Sequence, residues 1–224
     1  MNQVPKGLSA AALVATVAVS SVTQAQLEEV IVTATKIETS IQDTPIAVSA
    51  FTQDQLDSQL INDTMNLQFS VPNMTMTKQN FTANDIRIRG IGSGAIGPAG
   101  DSGVGIHING VYQTSTRIFE TQYFDTERVE VLRGPQGLLF GRNVTGGAVV
   151  MRTTRPDFNF RASAKASVET GLKKTVSAMV TGPIAEDVLA AKLAVYYSKD
   201  EGWFRNQFDQ SSFGKSRDII IRPA

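Results

Sequence analysis

The chain has 224 residues, with 21 basic and 21 acidic side chains, one histidine and no cysteine. Balanced charge gives no electrostatic footprint for nucleic acid, and the lack of cysteine excludes disulfides and cysteine-ligated metal. The length allows one or two domains with ordinary cores.

Lys6 is followed by no charge until Glu28. Between them Leu8 to Val19 is a compact apolar run, and Thr23-Gln24-Ala25 sets small residues at both key positions of a cleavage site. This is the layout of a secretory signal peptide. A membrane anchor is the rival reading, but residues 8–22 as a helix span only about 22 Å against a hydrocarbon core of about 30 Å. Residues 1–25 are therefore expected to be removed, and the mature chain to begin near Gln26 outside the cytoplasm.

Residues 26–39 read as a short extended segment. Val30, Ile31, Val32 and Thr33 are β-formers with acidic residues nearby. They suit either an ordinary first strand or a mobile strand kept available to a partner.

Residues 40–156 read as a compact α+β unit, a small mixed sheet with short helices and long Gly-rich loops. "IAVSAF" is strand-like, and Thr52 with Gln55 matches a capping box that sets Leu56 and Leu60 on one helical face. "NLQFS" predicts a second short helix stopped by Pro72. "DIRIRG" and "ERVEVLRG" alternate apolar with charged residues, and "GAVVMRTT" predicts a further strand. Asn109-Gly110 between two β-rich runs predicts a hairpin. From Ile91 to Thr116 the only formal charge is Asp101, in a stretch that reads mostly as long Gly-rich loop.

Residues 157–224 change period. Ala162, Ala164, Ala166 and Val168 alternate with polar residues, as do Val176, Ala178 and Val180, and Leu189, Ala191, Leu193, Val195 and Tyr197 share one face. Gly182-Pro183 and "KDEG" read as turns, with Trp203 and Phe204 opening the next segment. Strands of about ten residues with strict alternation suit a membrane β-barrel, although a soluble sandwich also alternates.

The glycines invite a phosphate reading, which fails on chemistry. Gly141 and Gly146 have P-loop spacing, but Gly147 and Ala148 stand where Lys and Ser or Thr must be. Gly92, Gly94 and Gly97 spell a dinucleotide fingerprint, yet Pro98 and further glycines follow where a helix must open. His107 is the only histidine, so no Ser-His-Asp set exists, and a structural role suits it. No enzymatic activity, cofactor or metal is expected. What remains is backbone geometry, since glycine permits positive φ and close approach of chains. Arg133, Arg142, Arg152 and Arg155 stand beside the glycines, with Glu127 and Glu130 as possible mates; a solvated charged face is the plainer alternative.

Taken in order, "EEVIVTATK", "IRIRGIGS", "INGVYQ", "ERVEVLRGPQGLLFGRNVTGGAVVMRTTRP" and "TGPIAEDVLAAKLAVYYSKDEGWFRN" resemble the TonB-dependent outer-membrane receptors over residues 28–206. The resemblance implies a barrel of about 22 strands whose lumen holds an N-terminal plug. It identifies 26–39 as the TonB-box segment, 40–156 as the plug and 157–224 as the start of an incomplete transmembrane β-barrel. Too few residues follow 157 to supply that barrel at about ten per strand. The chain is thus expected to be a fragment with the first four or five barrel strands. It implies a TonB box at Glu29, Val30, Ile31, Val32, Thr33 and Ala34, which would pair with the energy-transducing protein TonB. Ser93, Asp101, Gln113, Thr114 and Arg117 would face the ligand from plug loops. Arg89, Glu127, Glu130, Arg133 and Arg142 would lock plug to barrel. The implied function is active uptake across the outer membrane of a scarce nutrient, such as an iron–siderophore, cobalamin or an oligosaccharide. The competing reading is a secreted periplasmic binding module or non-transporting remnant.

Overall fold

The computed structural model describes residues 31–32, 39–40, 44–78, 84–92, 102–114, 122–170 and 173–224. The expected signal peptide lies outside them. The elements in chain order are β1 (Ile31–Val32), β2 (Thr39–Ser40), β3 (Ala47–Thr52), α1 (Gln53–Ser58), α2 (Thr64–Leu67), β4 (Met74–Lys78), β5 (Asn84–Ile88) and β6 (Ile91–Gly92). They continue with β7 (Val104–Ile108), β8 (Val111–Tyr112), β9 (Thr126–Arg133), α3 (Gly137–Phe140), β10 (Gly147–Thr153) and β11 (Arg161–Glu169). The last are β12 (Lys173–Ala185), β13 (Leu189–Asp200), β14 (Phe204–Arg205), β15 (Ser212–Phe213) and β16 (Ser216–Pro223).

The α+β unit is built on a five-stranded mixed sheet in the order β3-β9-β10-β7-β8, in which β10 and β7 run parallel. A second sheet, β4-β5-β6, packs with α1 and α2 on one of its faces. Period-two alternation decides which residue goes where. Val129 and Val131 of β9 and Val149 of β10 turn to that side, into a core with Phe51, Leu56, Leu67, Ile86 and Ile88. Leu132, Ala148 and Val150 turn to the other face and meet Val32 and Val144. Each of these large buried side chains contributes about 1.5–3 kcal/mol.

The caps fall where the residue types predict them. The Thr52 side chain accepts from the Gln55 N–H at 3.4 Å, and the Gln55 side chain accepts from the Thr52 N–H at 3.0 Å. Asn109 (φ 50°) and Gly110 (φ 82°) form the β7–β8 hairpin turn. A Cβ on Gly147 would lie 2.2 Å from the Leu132 carbonyl oxygen, so the glycine run serves close chain approach.

Several expectations need correction. Helix α1 ends at Ser58, and Leu60 takes a left-handed turn (φ 56°) that leaves it 75% exposed, off the buried face. Helix α2 starts earlier than "NLQFS", because the Asp63 side chain accepts from the Asn66 N–H at 2.9 Å and fixes its start. Strand β6 occupies the start of the stretch read as loop, and strand β4 and helix α3 occupy stretches to which no element is assigned from sequence.

The C-terminal wall is an antiparallel sheet, β11-β12-β13-β16. Gly182-Pro183 is not its turn: β12 runs through both to Ala185, and the reversal falls at 186–188. Strand β11 pairs only as far as Thr181, so Pro183 has no ladder bond to supply on that side, and a register shift follows it. Trp203 and Phe204 do not open a wall strand either. Phe204 pairs with Phe213 in a small hairpin, and the next wall strand is β16.

Candidate functional site

The two units meet along a seam centred on residues 122–125. Tyr123 points into the α+β unit: its hydroxyl donates to Thr64 Oγ1 at 2.8 Å and its N–H to the Asn62 carbonyl at 2.8 Å. Complete burial pushes its phenol far above the ordinary tyrosine range. Its neighbours turn the other way, onto the wall.

Asp125 has a left-handed backbone (φ 54°). Lys192 of β13 reaches across and donates to Asp125 Oδ2 at 2.5 Å and to the Thr154 carbonyl at 2.6 Å. Both side chains are fully buried (1% and 0% exposed). Arg222 of β16 donates to the Phe124 carbonyl at 2.8 Å and lies 4.1 Å over the Phe124 ring. That ring stacks on Tyr196 of β13 at 5.1 Å, and the Tyr196 hydroxyl donates to Gln122 Oε1 at 3.1 Å. Removing one partner of a buried pair strands the other charge, at about 3–5 kcal/mol. The seam is therefore a fixed joint.

Beside this joint the packing is looser. Lys165 of β11 pairs with Asp57 of α1, both about half exposed, a class worth up to about 1 kcal/mol. Between α1 and strands β11–β13 lies a cleft of about 580 Å³, with Gln53, Asp57 and Asn62 on one side and Ser163, Thr175 and Ser177 on the other. Short hydroxyl side chains leave it roomy enough for water, with polar partners on both sides.

The wall's two faces differ in chemistry, although Met179, Ala194 and Ile220 also turn inward and pack with Phe124 and Tyr196. Ser163, Lys165, Thr175, Ser177, Lys192 and Tyr196 face the α+β unit or its cleft. The alternate residues Val168, Val176, Val180, Leu193, Ile219 and Ile221 are exposed on the outside. Among the described residues no helix is long and apolar enough to cross a membrane, which leaves strands as the spanning elements open to test.

Of the expected TonB box, Ile31 and Val32 are described, pairing with Ser40 and Thr39. Val32 is fully buried against Leu132, Val144, Ala148 and Val150. Glu29, Val30, Thr33 and Ala34 lie outside the described residues, as do Ser93, Asp101 and Arg117. Gln113 closes the β8 end through its N–H to the Ile106 carbonyl at 2.8 Å, and Thr114 beside it is exposed. Of the expected lock, Glu130 is buried beside Arg128 at 2.9 Å and Glu127 lies 3.3 Å from Arg128. Arg89 packs over Gly134, Arg133 is half-buried with an unpartnered Nε, and Arg142 is exposed. The seam contacts described above use other residues. His107 is buried between the rings of Tyr112 and Phe140.

Sequence reasoning missed Asp125, Lys192, Arg222 and Tyr196. The available signal was that Lys192 and Tyr196 share the polar side of the alternation in β13. Nothing in one sequence joins residue 192 to a partner 67 positions earlier.

Comparison with known proteins bears on both units. A family model described as TonB-dependent Receptor Plug Domain matches residues 40–148. An iron-regulated outer membrane virulence protein of Vibrio cholerae is 28% identical over 187 residues, covering 75% of this chain and 27% of that protein. The pesticin receptor of Yersinia pestis is 30% identical over 125 residues, covering 55% of this chain and 18% of that protein. Among solved structures, the ferric yersiniabactin uptake receptor FyuA from Yersinia pestis superposes with a TM-score of 0.72 at 23% identity, over 79% of this chain and 28% of that one. The chain thus spans about a quarter or less of the length of these relatives.

Proposed function

Since the chain belongs, through residues 40–148, to the TonB-dependent receptor plug family, we propose that it supplies the plug and first wall strands of an outer-membrane receptor. The cargo is a ferric chelate of the siderophore class. Relatives named as iron-regulated, ferric-pyoverdine and hemin receptors support that over cobalamin or an oligosaccharide. The observation that carries the reading is the docking of a plug onto the polar face of a sheet whose other face is exposed and apolar. That bare face disfavours a secreted soluble module, which has no reason to leave it uncovered.

In this reading the outer membrane offers no energy source of its own, and work arrives through TonB. Residues 29–34 add as a strand to TonB's sheet, main-chain hydrogen bonds giving the affinity. Val32 must then leave its apolar socket, losing roughly 1.5–3 kcal/mol of burial, so the box is held until engaged. Ser93, Asp101, Gln113, Thr114 and Arg117 meet the cargo from the plug's outward loops. Arg89, Glu127, Arg133 and Arg142 meet further wall segments, a role that Arg142's exposure and Arg133's unpartnered Nε support. Glu130, fully buried and paired with Arg128, is withdrawn from the lock because it cannot reach the wall.

The test is Val32→Pro in the full-length receptor, with ferric-chelate uptake and chelate binding measured side by side. Proline removes a ladder donor. Uptake is lost while binding persists. Unchanged uptake refutes the assignment of the box.

A further inference from the structure

The outward face of the wall carries a second pattern that transport does not explain. Reading across the register, Lys174 of β12 lies opposite Lys199 of β13, which lies opposite Arg217 of β16. All three share the face of Val176, Tyr197 and Ile219, which form the adjacent row. Strands are about 4.8 Å apart, so three cations stand in a line about 10 Å long. Like charges directly opposite one another destabilise a sheet. Among the described residues the row has one ion pair, Lys199 with Glu201. That hydrogen bond, and then the charges of Lys199, Lys215 and Lys174, hold the Glu201 carboxyl below its usual range. One carboxylate against three cations leaves the row strongly positive.

Two further observations say what neutralises it. Below the row the same face holds a shallow groove of about 510 Å³, floored by Ala162, Ala164 and Ala178 and edged by Val180, Leu193 and Val195. It begins about four residues from Lys174 along β12, roughly 13 Å at strand rise. The row is also confined to one end of the sheet, next to the long connection 201–215. At the other end the face meets Phe160, Ile184 and Leu189 and the acidic turn Glu186–Asp187. In outer-membrane barrels long loops are extracellular and short turns periplasmic, so the cations stand at the outer leaflet.

We infer that Lys174, Lys199 and Arg217 bind the phosphate of an outer-leaflet lipid headgroup, with an acyl chain of that lipid in the alanine groove below. Arginine and lysine suit this role because ammonium and guanidinium donors make charge-assisted bonds to phosphate oxygens. Tyr197, in the row between cations and groove, takes the interfacial position that amphipathic rings favour. The inference rests on the outer-membrane reading above but not on the identity of the cargo.

The experiment is thermal unfolding of the full-length receptor in an uncharged detergent. It is titrated separately with lipid A (a bis-phosphorylated glucosamine lipid), phosphatidylcholine and inorganic phosphate. A ligand that binds only the folded state raises the midpoint. Lipid A raises it for the wild-type protein, and the rise falls by more than half in the K174Q/K199Q/R217Q variant and in high salt. The charge-conserving K174R/K199R/R217K variant keeps the rise, which separates charge from folding damage. An equal rise in the glutamine variant overturns the site. So does an equal rise from phosphatidylcholine, which would assign the effect to the groove alone, or from inorganic phosphate, which would make it a free-anion effect. Absence of the protein from the outer-membrane fraction sinks the underlying reading instead.

Discussion

The plug and the wall use the same β alternation in opposite senses. In the plug, Val129, Val131 and Val149 turn inward onto Leu56, Ile86 and Ile88, and the buried Asp85 and Glu130 pair with Arg87 and Arg128. In the wall, Val180, Leu193 and Ile221 turn outward, while Lys165, Lys192 and Tyr196 turn toward the plug. A period of two reports that a strand has two environments, and does not report which of them is water. The plug is ordered by apolar contact with itself. The wall is held to it by the Asp125–Lys192 and Phe124–Arg222 contacts and by the cluster around Phe124, and leaves its other, apolar face exposed.

The comparison breaks most severely at the joint. Asp125→Ala in the full-length receptor strands the buried Lys192 ammonium and is expected to cost about 3–5 kcal/mol, read as a lowered midpoint for release of the plug from the wall in urea. The Lys165–Asp57 pair, being half exposed, gives Asp57→Ala a cost below about 1 kcal/mol in the same assay. Equal losses from the two would contradict the distinction between fixed joint and loose cleft.

The two faces of the wall can be separated next. Val195→Arg sets a charge on the outward face, at about 2–4 kcal/mol if that face meets hydrocarbon. Ser177→Arg sets the same charge at the hydrated cleft and should change folded yield in lipid little. A reversed order would mean that the faces have been assigned backwards.

The smallest effect lies inside the plug alone. Thr52→Ala removes the capping box of α1 and costs about 1 kcal/mol. Chelate binding stays unchanged, because the helix is anchored by Leu56 as well as by its cap. A loss as large as that of Asp125→Ala would show that α1 organises the seam.

Legibility in the sequence followed the range of the interaction. The Thr52–Gln55 box, the Asn109-Gly110 turn and the alternating wall strands are local, and each was readable from neighbours a few residues apart. That the wall strands have two unlike faces was visible as soon as Ala162, Ala164 and Ala166 were seen to alternate; which face turns outward was not. Leu60 misled because the helical period continues past Ser58 while the chain itself turns left-handed. Pro183 misled because a proline at a strand edge resembles one in a turn. The joint was illegible: Asp125 meets Lys192, and Phe124 meets Arg222, only after two units of different fold have docked. The basic row was hidden for a related reason, since Lys174, Lys199 and Arg217 become neighbours only through the register of three strands.

The most direct test of the central claim, that the wall is polar toward the plug and apolar toward lipid, is spin-label accessibility in outer membranes. The chain carries no cysteine of its own, so single labels can be introduced at Val195 and at Ser177 of the full-length receptor. The account predicts a Val195 label relaxed by oxygen and shielded from a water-soluble nickel chelate, with the Ser177 label showing the reverse. A Val195 label that the nickel chelate reaches as readily as it reaches Ser177 would contradict it.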